Sequence, residues 1–315
     1  MARSIRTVVV GVATLREPDP VLGAALALAA RTGAALHVVH AFEVAGCELE
    51  RYREMGYSAC DPVRLFADGL QARLEGQVRA LTQRGSVFCA AVHGDPRRVL
   101  ADAAERVDAD VVVVGSTRRG PLARTLLGTT AQHVLHRVRR PVLILHPPLR
   151  TPVARVLLTT DLSELSEVVH EAGVELVDGL FGGDAPELRS LLVSWHDHTL
   201  PPSMLGGRGE AAAGRSLRRF LRDRRPRSRP VEPRVRVGEP SREIAAEAEE
   251  WDADLLVLGT HGRTGAARVL LGSVAEGALR AARCSVLVIP ASAVAAEAAR
   301  LPALEARAAV SRAAS

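Results

Sequence analysis

Aromatic residues make up only 3% of this 315-residue chain, so its cores must be assembled from Ala, Val and Leu. Lysine does not occur, which makes arginine the general basic residue rather than the mark of one dedicated anion-binding surface. The formal charge of +5 permits anionic partners without requiring one. The four cysteines, Cys47, Cys60, Cys89 and Cys284, form no CxxC and no metal-ligand spacing. Reduced thiols in a cytoplasmic protein are therefore expected. No stretch approaches the ~18 uninterrupted apolar residues of a transmembrane helix, so no membrane span is expected. The opening MARSIRTVVVGV has a short apolar run and no small-residue cleavage site, and it reads as a first strand rather than a signal peptide.

Dedicated catalytic apparatus is missing as well. There is no GxxxxGK[ST] loop, no GxGxxG after a first strand, no HExxH, no nucleophile elbow, no metal quartet and no catalytic lysine. His196 and His198 flank Asp197, but metal binding by that trio is the weaker reading, and no metal site is expected. His93, near Cys89, reads as an ordinary strand-end residue.

What the chain does contain, it contains twice. VVGSTRRGPLARTLLGTTAQ at 113–132 is answered by VLGTHGRTGAARVLLGSVAE at 257–276. A constant offset of 144 carries Gly94 and Pro96 to Gly238 and Pro240, and DAD at 108–110 to DAD at 252–254. Between 94–145 and 238–289, 22 of 52 gapless positions are identical, which chance cannot supply. Near the start of each half TVVVGVA answers RVLLTTD, with Ala13 opposite Asp161 at an offset of 148. The chain is thus two copies of one domain, at 1–148 and 152–291, with an Ala-rich tail at 292–315.

Each copy alternates apolar runs with helical patterns. The runs lie at 7–12, 35–41, 87–92, 111–114 and 142–145, then near 155–160, 190–195, 233–237, 254–258 and 286–289. They are short, Val-rich and apolar on both faces, as buried parallel strands are. Helical patterns occupy 19–32, 61–84, 96–107 and 128–138 of the first copy. The expected fold is α/β, with two repeated Rossmann-like domains, each a five-stranded parallel sheet with helices on both faces. Residues 198–232 fall outside the repeat, as a glycine-rich stretch followed by an arginine-dense helix and loop.

In such a sheet, ligands sit beyond the carboxyl ends of the strands, near the switch in strand order. Gly259 and Gly262 leave the strand there without a Cβ, so backbone amides and a phosphate can approach closely. Gly272 and Ser273 then open a helix whose free N–H groups favour an anion. Taken alone, the same glycines fit plain turns and a helix start with no ligand.

Gly259-x2-Gly262-x9-Gly272-Ser273, between DADLLVLG and CSVLVIP, resembles the nucleotide-binding motif of the universal stress protein family. TTDLSELS at 159–166 resembles that family's first-strand exit, and LHVVHAF (36–42) and LLVSWHD (191–197) its second strand. The resemblance covers both halves and implies a tandem member with adenine nucleotide α-hydrolase-like domains. It implies an ATP site in the second half, with Mg2+ as counter-ion and no redox cofactor. Asp161 would accept from the adenine or ribose edge, and Val193 would pack on the base. Leu258 and Gly259 would lie along the nucleotide, and Gly262, Gly272, Ser273 and Val274 would hold the phosphates. His261 would either touch ribose or phosphate or face solvent from the loop.

The first half departs from the pattern twice, with Ala13 for the aspartate and Arg118 for the second glycine, while Gly128 and Thr129 keep the helix start. Two readings stay open for it: a partner that has lost its nucleotide, or an altered anion site served by Arg118, Arg119 and Arg124. The function implied is ligand-gated regulation of a stress response through an unknown regulatory protein partner. A purely structural tandem module and a slow ATPase are the alternatives. In this family last strands often pair across domains, so PVLILHP (141–147) and SVLVIPA (285–291) are expected to join the halves as an internal pseudo-dimer, with a homodimer also open. Residues 215–236 hold ten arginines but one aromatic, Phe220, so nucleic acid is the weaker reading of that segment.

Overall fold

Among the described residues, ten strands form, most of them where the valine- and leucine-rich runs lie. The computed structural model describes residues 4–15, 19–56, 60–83, 85–116, 129–146, 149–194, 208–223, 229–260, 271–290 and 292–293. The first half contributes β1 (Thr7–Gly11), β2 (Ala35–Phe42), β3 (Val87–His93), β4 (Val111–Gly115) and β5 (Val142–Leu145). The second contributes β6 (Arg155–Thr160), β7 (Glu187–Ser194), β8 (Val231–Val237), β9 (Leu255–Gly259) and β10 (Ser285–Ile289). The helices are α1 (Pro20–Thr32), α2 (Gly46–Glu54), α3 (Cys60–Leu81), α4 (Pro96–Arg106), α5 (Thr129–Arg137), α6 (Glu164–Phe181), α7 (Arg208–Asp223), α8 (Pro240–Glu250) and α9 (Ser273–Ala281).

All ten strands belong to one sheet, in the order β3-β2-β1-β4-β5-β10-β9-β6-β7-β8. Within each half the pairings are parallel, and the central pairing of β5 with β10 is antiparallel. Leu143 stands opposite Leu287, its own counterpart in the repeat, so a local two-fold axis passes through that pair. Gln132 and Glu276, another pair of repeat counterparts, meet across the same axis at 3.4 Å. The sheet is covered on both sides by cores shared between the halves. One holds Leu22, Leu36, Leu143, Leu158, Leu176 and Leu287, and the other Val112, Ile144, Leu157, Leu256 and Val286.

The repeated DAD has a structural cause. Asp108 and Asp252 take left-handed backbone at the ends of α4 and α8 (φ 53° and 51°), which a short polar side chain tolerates better than most. Ala109 and Ala253 are buried. The second aspartate reaches the first strand of its half. Asp110 Oδ2 accepts from the backbone amides of Arg6 and Thr7, and Asp254 Oδ2 from those of Ala154 and Arg155, at 2.8 and 3.0 Å in each case. Asp254→Ala leaves two strand amides without their acceptor. It should cost about 1.5–3 kcal/mol, the range for hydrogen bonds to a charged group, read as a lower urea midpoint at unchanged slope.

The outer edges of the sheet are both blunted. β8 carries Pro233, which has no N–H to offer, a residue that sheets admit at their edges. On β3 the side-chain amide of Gln71, from α3, stands in for a missing strand. Its Nε2 donates to the Cys89 carbonyl at 2.9 Å, and its Oε1 accepts from the Ala91 amide at 2.8 Å.

Two strands start earlier than the sequence reading places them, and one helix is absent from that reading. β7 begins at Glu187 and β8 at Val231, because charged Glu187, Arg189 and Glu232 and a proline sit in strands that register still pairs. Helix α2 has no apolar stripe in GCELERYRE to announce it; its Tyr52 packs edge-on against Phe66 of α3, with ring centroids 6.2 Å apart. The tail from 294 onward lies outside the described residues.

Candidate functional site

The strand order reverses between β6 and β9, because the chain leaves β6 toward β7 and β8 and returns through α8 to β9 on its other side. The carboxyl ends of those two strands therefore flank a crevice at the switch point. Asp161 follows β6, Val193 lies near the end of neighbouring β7, and Leu258 and Gly259 end β9. Ser273 and Val274 begin α9 and are exposed. The fold thus gathers Asp161, Val193, Gly259, Gly272, Ser273 and Val274 at one end of three adjacent strands. Leu258 turns its side chain into the core, so only its backbone can face a ligand. His261 and Gly262 lie outside the described residues, as do Arg118, Arg119, Arg124 and Gly128 of the first half and the His196–Asp197–His198 trio.

Gly272 closes the site's defining loop. Its amide donates to the Thr260 carbonyl at 2.8 Å, so the chain leaves β9 and returns to the same point before α9 starts. A Cβ on Gly272 would lie 3.2 Å from that carbonyl oxygen, closer than a rigid backbone atom accepts without shifting. Gly272 is the N-cap of α9 and supplies no side-chain acceptor to the first turn, which leaves the turn's amide donors to another acceptor. The Thr260 amide is in turn held by the Ile289 carbonyl, at 3.3 Å.

The opposite wall is a hydroxyl ladder that the sequence reading did not single out. Thr160 Oγ1 and Ser166 Oγ lie 2.7 Å apart, and Ser166 Oγ also accepts from the Asp161 amide at 3.2 Å. Asp161 Oδ1 accepts from the Ser163 amide and hydroxyl, at 3.0 and 2.6 Å. Ser163 Oγ caps α6 by accepting from the Ser166 amide at 3.2 Å. These bonds hold Leu162 in left-handed backbone (φ 62°) and leave Asp161 Oδ2 with no bond to a described residue. The signal was present in TTDLSELS, where Ser/Thr and Asp cluster between a strand and a helix.

The first half builds the equivalent place differently. α1 starts at Pro20, well after Ala13, whereas α6 starts three residues after Asp161. The Ala13 amide, counterpart of the Asp161 amide that Ser166 Oγ accepts, is accepted at 3.2 Å by the buried carboxylate of Asp19, which also caps α1 by accepting from the Val21 amide at 2.9 Å. Side chains also pack closely on its strand-end glycines: a Cβ on Gly115 would lie 2.7 Å from Val21 Cγ2, and one on Gly11 would lie 2.8 Å from Leu100 Cδ1.

Comparison with known proteins bears on what this arrangement is. The sequence model described as "Universal stress protein family" matches residues 4–146 and again residues 152–290. The chain belongs to the universal stress protein family. It is a tandem member, with two such domains in one chain. A universal stress protein of Mycobacterium tuberculosis is 32% identical over 195 residues, covering 58% of this chain and 62% of that relative. The chain thus matches less than two thirds of the length of such curated relatives. Among solved structures, a protein of Pseudomonas aeruginosa PAO1 superposes with a TM-score of 0.68 at 18% identity, over 93% of this chain and 95% of the other. A universal stress protein of Archaeoglobus fulgidus gives 0.61 at 20% identity, over 90% and 96%. Both likenesses establish the shared α/β fold. No helix among the described residues of this universal stress protein is long and apolar enough to cross a membrane.

Proposed function

We propose that the second half binds an adenine nucleotide, with ATP and its Mg2+ as the occupant tested first, and that occupancy regulates a protein partner. The observation that carries this reading is the loop closure by Gly272 and Thr260, which brings the N-terminus of α9, with no side-chain cap, to the switch point between β6 and β9. Phosphates would meet the amides of Ser273 and Val274, the Ser273 hydroxyl, and the backbone of Gly259 and Gly262. Base and ribose would lie toward Asp161 Oδ2 and Val193, with His261 beside the phosphates. The first half, with Ala13 for the aspartate and Arg118 for the second glycine, serves as scaffold, so one nucleotide per chain is expected.

A ligand that binds only the folded state raises stability by mass action, by about 2.7 kcal/mol at a hundredfold excess over Kd. Millimolar Mg-ATP should therefore raise the melting temperature of the wild type. Gly262→Arg, which copies Arg118 of the first half, should remove that shift. No shift in the wild type, or an equal shift in the variant, would overturn the site.

A further inference from the structure

Helix α7 carries a face that the repeat does not explain. Its inner side is spent on the core. Leu217 and Phe220 are buried with Leu192, and Leu162, Ala213, Leu221 and Val235 pack around them. Its outer side exposes Arg215, Arg218, Arg219 and Arg222, spaced i, i+3, i+4 and i+7 and so forming one stripe about 10 Å long. Several exposed arginines elsewhere are neutralised: Arg31 pairs with Asp184 at 2.6 Å, Arg150 with Asp252 at 2.6 Å and Arg280 with Glu276 at 2.5 Å. Among the described residues no acid pairs with Arg215, Arg218 or Arg222, and Arg218 is laid back over Gly214, whose Cβ would be 3.5 Å from the guanidinium. The equivalent helix of the first half, α3, exposes Leu65, Phe66 and Asp68 beside Arg64 and Arg73 and has no such stripe.

We propose that this stripe is the docking surface for an acidic polypeptide segment, most simply a helix with carboxylates at the same spacing. This names the partner chemistry of the regulatory role proposed above and rests on that reading. Guanidinium forks pair carboxylates in bidentate fashion, and the spacing lets several pairs form along one helix face. A bilayer is disfavoured because the apolar side of α7 is already buried against β7 and β8. Single-stranded nucleic acid is disfavoured because the stripe offers no aromatic for stacking, Phe220 facing inward. A duplex groove takes a helix exposed around much of its girth, whereas α7 lies flat on the sheet with only its outer tips free. Leu162, adjacent to Asp161 in the crevice wall, packs against α7, so the docking helix is in direct contact with the candidate nucleotide site.

The test is binding of fluorescent polyglutamate, with duplex DNA of equal charge as competitor. Wild type should bind polyglutamate with an affinity that falls with salt. Arg215→Glu/Arg218→Glu/Arg222→Glu should weaken it by at least roughly tenfold, since three attractions become repulsions. Arg97→Glu/Arg98→Glu/Arg106→Glu, an equal charge change at exposed positions of α4, should weaken it far less. An equal loss in both triple variants would reduce the effect to net charge and overturn the proposal, as would tighter binding of the DNA. The melting curve of each variant reports that it is folded. The ATP-induced melting shift is read separately, so failure of the crevice reading and failure of the docking reading are distinguishable.

Discussion

Glu247→Ala is expected to be among the most destabilising substitutions in this universal stress protein, at about 3–5 kcal/mol, the range for breaking a buried ion pair from one side. Glu247, on the buried face of α8, is 2% exposed, and three arginines converge on it from β7 and β8. Arg189 Nη1 donates to Oε1 at 2.8 Å, and Arg236 Nη1 and Arg234 Nε to Oε2 at 2.9 and 3.3 Å. Arg189 also stacks on Trp251, 4.1 Å from the ring centroid. Removing the carboxylate takes away the buried anion that the three arginines share, and leaves Arg189 only Glu232 and Arg236 only Glu243 and Glu250 nearer the surface. Burial works to raise the pKa of Glu247, but the hydrogen bonds from Arg236 and Arg189 and the field of Arg234 outweigh it and hold the carboxyl below its usual range. The linkage follows in sign. The group's contribution is fully present above the unfolded-state pKa and is lost as pH falls through the depressed folded value. Urea midpoints measured from neutral to acid pH should therefore fall less steeply for Glu247→Gln than for wild type. A variant with unchanged stability and an unchanged acid limb would show that the network is solvated.

Leu287→Ala should lower stability by about 2–5 kcal/mol, the range for emptying a leucine site in a rigid core. Leu287 is fully buried on β10, opposite Leu143 on β5, in a core that draws on α1 and α6 alike. Because that core has no boundary between the halves, the loss should be felt by both. Calorimetry of the wild type is expected to give one cooperative transition, and Leu287→Ala should shift it whole. Two separate transitions, only one of them moved by the variant, would contradict a shared core.

The two halves solve one packing problem with different chemistry. Ala103 stands at the repeat position of Glu247, Ala90 and Val92 at those of Arg234 and Arg236, and His37 at the β2 position that Arg189 takes on β7. In the first half that layer is apolar and aromatic, with His37 stacked on Phe88 at 4.8 Å between centroids. The alternating charges this requires in β7 and β8 are why the second-half strands were read as starting two or three residues late. A period-two pattern of arginines signals a strand only to a reader who knows that glutamates wait on the helix above.

The candidate site was legible in part for similar reasons. Gly259, Gly272 and Ser273 can be marked from the chain because glycine and helix-start signals are local, and repetition at a fixed offset exposes them. The hydroxyl ladder from Thr160 to Ser166, the inward carboxylate of Asp19 and the cover of Val21 over Gly115 are contacts between elements. No local pattern encodes them.

By itself, the sequence determined the two-fold repeat, the alternation of strand and helix, and the crevice end of the second sheet half. Each rests on short-range periodicity, or on identity at an offset of 144. Tertiary structure alone decided the single ten-stranded sheet, the cores that span both halves, the blunting of β3 by Gln71, and the outward-facing arginine stripe of α7. Those features depend on which groups meet across long stretches of chain, where packing and charge pairing choose among arrangements that the local sequence permits equally.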